Sequence, residues 1–107
     1  MKTKVVGVNS GPDKHKRQWA ISKCASGQRL TLKREPDNPV DSNAVAVYAS
    51  GKVFIFFDYE QQIGYLSASI AKQLADDMDA GTKVACIVLG VTGGGDVTYG
   101  LNVEVDF

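Results

Sequence analysis

The residues best able to do chemistry gather in one stretch, Arg34-Glu35-Pro36-Asp37-Asn38-Pro39-Val40-Asp41-Ser42-Asn43. Glu35, Asp37 and Asp41 offer carboxylates there; Asn38 and Asn43 offer amides. Pro36 and Pro39 each fix φ and push the residue before them into an extended conformation. A loop so stiffened can hold polar groups in one arrangement without burying much. Those groups can bond a ligand, or they can satisfy the loop's own backbone, as Asp and Asn ordinarily do in turns. The residue types alone leave both readings open.

Other chemistry is less well provided for. His15 is the only imidazole, and it lies among Lys14, Lys16 and Arg17, which reads as a solvated basic loop and the best electrostatic candidate in the chain. A Cys24–His15 nucleophile pair would lack a third, orienting group. Cys24, Cys86 and His15 fall short of a structural zinc set. A calcium loop needs a central glycine where this loop has Pro39. Asp76, Asp77 and Asp79 sit at positions that point different ways on a helix. Gly93-Gly94-Gly95 has no Lys-Ser or Lys-Thr pair after it and opens no helix, which excludes a nucleotide loop. The expectation is a binding protein rather than an enzyme, with no metal and no cofactor.

Composition sets further bounds. The chain has 107 residues, the size of one domain with a modest core. Twelve basic and twelve acidic residues give a formal net charge of zero, which argues against strong non-specific affinity for nucleic acid. No apolar run is long enough for a signal peptide or a transmembrane helix. Two distant cysteines suggest reduced thiols and a cytoplasmic location.

The loop must be held by its neighbours. Arg29–Arg34 alternates strictly, with Leu30 and Leu32 on one face, and reads as a half-buried strand. Ala44–Tyr48 reads as the strand after the loop. Further strands are expected at Val5–Val8, at the apolar run Val53–Phe57, at Gln62–Leu66, at Lys83–Val91 and at Thr98–Phe107. Turns are expected at Ala49–Lys52 and Asp58–Gln61. Ile70, Leu74 and Met78 recur at four-residue spacing, with Ser67 or Ser69 as cap and Gly81 as stop, so an amphipathic helix lies between. Trp19–Cys24 favours one or two helical turns. The fold class is mainly β (α+β): an OB-like or SH3-like barrel of about six strands with one amphipathic helix and one short helix.

In this arrangement the sequence resembles the HIRAN family. The resemblance is carried by Val5-Val6-Gly7-Val8, by Leu30 through Pro39, by Asp41 through Val47, by Ile63-Gly64-Tyr65-Leu66, by Ile70-Ala71, and by Val91-Thr92-Gly93-Gly94 with Gly100-Leu101-Asn102-Val103. It implies a modified OB-like barrel that, in fork-remodelling helicases of DNA repair, holds a single-stranded DNA 3′ end. These 107 residues contain no helicase motor, so the likeness is to a stand-alone member. It also implies a site. Asp41 matches the Asp that accepts a bond from the 3′ hydroxyl, and Asn38 the Asn before it; Tyr65 stands where the eukaryotic binder has a His and could stack in its place, and Tyr99 aligns loosely with an aromatic of the final hairpin. Asn9 and Ser10 stand where the family's DNA binders have an Arg-aromatic pair, and Val40 stands where they have a stacking Tyr. Stacking a base on an aromatic contributes about 1–3 kcal/mol, so weak binding is implied. Lys33, Arg34 and Arg17 are candidates for phosphates, with Arg34 and Asn43 equally placed to pin the loop. The alternative expectation is an interaction domain that keeps the fold without the DNA site, using the Val53–Phe57 run for a protein partner or self-association.

Overall fold

A computed structural model describes residues 1–107. Six strands and two helices follow in the order β1 (Lys2–Lys4), α1 (Lys14–Ser22), β2 (Arg29–Arg34), β3 (Val45–Val53), β4 (Phe57–Tyr65), α2 (Ala68–Asp79), β5 (Ala85–Gly94) and β6 (Val97–Asp106). All pairings are antiparallel, in the spatial order β1-β6-β5-β2-β3-β4. β2 turns the corner of the sheet. Its first residues, Arg29 and Leu30, pair with β5, and Thr31 to Arg34 pair with β3.

The sheet curls without closing. Its two edge strands are brought together at one point, beyond the end of β1. There the Val5 N–H donates to Leu101 O of β6 at 3.0 Å, and Val6 exchanges two bonds with Tyr65 of β4 at 2.8 and 2.9 Å. Gly64 permits this approach. Its φ is +152°, and a Cβ there would lie 2.2 Å from Val6 O and 2.7 Å from Val5 Cγ1. Inside the curl lie Ile21 of α1, Leu74 of α2, and Val45, Val47, Ile63, Val88, Leu101, Val103 and Val105 of the sheet, all essentially inaccessible. Mainly apolar β-branched residues alternating with polar ones produce such an inward face.

The amphipathic helix is where its spacing puts it. It buries Ile70, Ala71, Leu74 and Ala75 and follows Ser67. It ends in a paired cap, in which the Gly81 N–H reaches Met78 O at 3.0 Å and the Thr82 N–H reaches Asp77 O at 2.9 Å.

Three expectations are corrected. The first strand is Lys2–Lys4 rather than Val5–Val8, because Gly7 at φ +73° ends the extended backbone and Val5 turns inward. The basic cluster is helical rather than a solvated loop: α1 starts at Lys14 and buries Arg17 beside Ala20 and Ile21. The hairpin after the loop is one long ribbon with its turn at Phe54–Phe56. Neither Ala49–Lys52 nor Asp58–Gln61 turns, and Val53–Phe57 is the tip rather than a strand. Gly51 is a ladder residue opposite Tyr59; a side chain there would meet the Tyr59 ring at 3.0–3.1 Å. The glycine thus makes room for an aromatic rather than for a turn.

Candidate functional site

The loop between β2 and β3 is built from its own polar groups. The Glu35 N–H donates to Ala44 O and the Ala44 N–H to Asp41 O, both at 3.0 Å, closing its base. Asn38 Oδ1 accepts from the N–H groups of Val40 and Asp41 at 2.9 and 3.1 Å. Asp41 Oδ1 accepts from the Asn43 N–H at 2.9 Å. These are the local turns that Asp and Asn favour.

Arg34 clamps the loop from outside. Its guanidinium donates to Ala44 O at 2.7 Å, to Ser42 O at 3.0 Å and to both carboxylate oxygens of Asp79 at 2.9 and 3.3 Å. Asp79, at the unfavourable end of the α2 dipole, is thereby given a cation. Asn43 takes part through its backbone N–H.

Glu35 links the loop to the sheet. Its Oε1 accepts from the Tyr65 hydroxyl at 2.8 Å and from Asn38 Nδ2 at 3.0 Å. Tyr65 is therefore held at both ends, by its backbone to Val6 and by its hydroxyl to the loop. Glu35 stands three residues before Asn38, a turn spacing that makes this role intelligible.

Asn38, Asp41 and Tyr65 converge on one cavity of about 360 Å³, walled by Val6, Ala44 and Leu66. Val40 stands at its rim, 93% exposed. Asp41 is half-buried, and its Oδ2 makes no hydrogen bond within the protein. No cation lines the cavity. A carboxylate oxygen left without a protein partner beside apolar walls and no cation suits a neutral donor such as a hydroxyl, which can give it a hydrogen bond without bringing a further negative charge.

The other candidates lie elsewhere. Arg17 is 8% exposed and donates to Asp13 Oδ1 and Gly7 O, both at 2.9 Å, so it braces the turn that leads into α1. Asn9 and Ser10 are exposed in that turn and do not line the cavity. Lys33 is paired with Glu60 and sits 4.3 Å from the centre of the Tyr48 ring; that carboxylate raises its pKa. Tyr99 has both backbone groups bonded to the Gln18 side chain, at 2.8 and 3.0 Å. Its ring lies over Gly94, where a Cβ would come within 2.9 Å of it. The three cations proposed for phosphates are thus all paired with carboxylates.

The thiols are quiescent. Burial pushes Cys24 up to about 11 and Cys86 up to about 12, and both are free. No group of three or more His, Cys, Asp or Glu side chains converges anywhere. No helix is long and apolar enough to cross a membrane.

Comparison with known proteins agrees with this architecture. Residues 1–105 match the HIRAN domain. The crystal structure of the HIRAN domain of human HLTF is similar in fold, with a TM-score of 0.63 at 22% identity, covering 98% of this chain and 71% of that one. No curated protein sequence matches the chain. The match spans the β2–β3 loop, the Val6–Tyr65 bridge and the cavity between them, and it shows that the chain belongs to the HIRAN-domain family, a family of nucleic-acid-binding domains.

Proposed function

We propose that this domain is a non-enzymatic module that engages the 3′ end of single-stranded DNA, with the terminal hydroxyl donating to Asp41. The observation that carries this reading is the half-buried Asp41 carboxylate, which lines the cavity with Tyr65 and has one oxygen fixed by the loop and the other without a protein partner. Asn38 acts by shaping the loop that presents Asp41. Tyr65 forms the wall against which the terminal nucleotide rests. Binding is weak, since Val40 offers no ring at the rim and Arg17, Lys33 and Arg34 are already paired. The free, protonated thiols suit a reducing, cytoplasmic location.

Fluorescence anisotropy at low salt, with oligonucleotides ending in a 3′ hydroxyl or a 3′ phosphate, tests the reading. Preference for the hydroxyl, abolished in Asp41→Asn, is the expected result. Equal affinity for both ends, or no binding at high micromolar protein, overturns it.

A second reading rests on the hairpin tip. Phe54, Ile55, Phe56 and Phe57 are 82%, 79%, 83% and 65% exposed, an apolar run of a kind that marks contact surfaces. Under this reading the tip packs against a second copy of the chain, with which zero net charge sets up no repulsion. Sedimentation velocity across concentrations decides it. A strict monomer, unaltered by Phe56→Ser, rejects it.

A further inference from the structure

At the far end of the β3–β4 ribbon from Asp41 lies the largest cavity, of about 610 Å³. Its aromatic side is made by Trp19 of α1 and Tyr59 of β4, packed edge to face with ring centres 4.9 Å apart and planes at 66°. Trp19 remains 40% exposed despite this contact. Phe54 completes the rim; it is 82% exposed and holds φ at +58°, a strained conformation for a residue with a side chain. Lys23 and Lys52 line the same cavity with the amide side chain of Gln28, and no carboxylate lines it. Lys52 is paired with Asp58 just outside, whereas Lys23 has no acidic partner and sits 6.0 Å from the Trp19 ring centre.

We propose that this groove is a second contact for single-stranded nucleic acid, taking an internal base on Trp19 and Phe54 and an adjacent phosphate on Lys23. The proposal rests on the nucleic-acid reading of the domain but not on end recognition. Two features select the ligand class. Exposed rings of different orientation accept flat π-faces of any base, which gives stacking without sequence preference. The lining carries two cations and no anion, which selects a polyanion over an acidic-and-apolar protein surface. A purely apolar partner would leave Lys23 buried without a counter-ion, an unfavourable outcome. Nucleic acid supplies both the rings and the charge.

Trp19 is the only tryptophan, so its fluorescence reports on this groove alone. The probe is a fifteen-nucleotide oligothymidylate blocked by a 3′ phosphate, titrated at low salt into the full chain. Saturable quenching, retained in Asp41→Asn, is the expected result. Lys23→Glu and Phe54→Ser, both at exposed positions, each weaken it by about tenfold, the size of one lost stack or phosphate contact. Heparin, which has charge but no aromatic rings, should displace the oligonucleotide without quenching. Absence of quenching while anisotropy still reports hydroxyl-dependent binding overturns this inference and leaves end recognition standing. Equal quenching by heparin, or quenching indifferent to both variants, also overturns it. Failure of every oligonucleotide to bind in either assay overturns both readings.

Discussion

The two ends of the β3–β4 ribbon offer opposite surfaces. Near Ala44 and Tyr65 the cavity has one carboxylate, apolar walls and no cation. Near Val53 and Phe57 the groove has exposed rings, two lysines and no carboxylate. The groove begins at Ser50 of β3 and the cavity ends at Ala44, so about 20 Å of ribbon separates them. A carboxylate in an apolar cavity discriminates between hydroxyl and phosphate, but repulsion from phosphates limits how tightly it can hold a strand. Rings and lysines hold a strand but cannot tell its end from its middle. The difference separates selectivity from affinity, and a chain with zero net charge can reconcile the two only by keeping them apart.

The contrast can be broken most severely at Gly64. Gly64→Ala drives a Cβ into the Val6 backbone, and we expect a loss of about 3 kcal/mol or more in urea unfolding, since strain against backbone cannot be relieved by side-chain movement. End discrimination should disappear with the Val6 wall. Val40→Tyr should sharpen the contrast instead. At a 93% exposed rim the new ring costs little, and it should tighten binding of hydroxyl-ended oligonucleotides by about 1–3 kcal/mol in anisotropy, with quenching of Trp19 by the blocked strand unchanged.

Alkaline pH should affect the groove side next. Both thiols titrate above their ordinary value of 9.0, so folding favours the protonated form. Their contribution to stability is complete below pH 9 and is lost as pH rises through about 11 for Cys24 and about 12 for Cys86. We expect stability in urea unfolding to fall steadily as pH is raised from 9 to 11. Tyr59 also titrates high, through burial and then the neighbouring Cys24, so the packing around Trp19 should loosen with it. The smallest effect is expected for Tyr65→Phe, which removes one of two donors from Glu35 and should cost about 1 kcal/mol in thermal unfolding with a weaker hydroxyl preference.

Legibility in the sequence followed the physics of each segment. The strand Arg29–Arg34 and the helix Ala68–Asp79 were legible because a half-buried element imposes its period on its residues. The cavity was legible through family resemblance at Asn38, Asp41 and Tyr65, which are separated by up to 27 residues in sequence and meet only because β3 and β4 return the chain. What could not be read was charge buried by pairing. Arg17 looks like a phosphate ligand until Asp13 and the Gly7 carbonyl are found around it, and Arg34, legible equally as a loop pin, is found to be held by Asp79 and the Ser42 and Ala44 carbonyls. The hairpin failed for a related reason. Gly51 and Phe54 invert their usual meanings, a glycine in the ladder and an aromatic at positive φ in the turn. Local propensity cannot anticipate Tyr59 lying across one and solvent around the other.

The Val6–Tyr65 bridge makes the domain something like a clasped bracelet, with the ligand's wall riding on the clasp. Tyr65 is the residue whose two backbone bonds join the sheet's edges and whose ring lines the cavity. Whatever occupies the cavity therefore bears on the clasp, and the amide protons of Val6 and Tyr65 become its gauge. In the free domain they should exchange with deuterated solvent faster than those of the buried ladder at Val47 or Val103, because two bonds at an edge open without the core. An oligonucleotide end seated beside Asp41 should slow them selectively, before any change is seen elsewhere in the sheet.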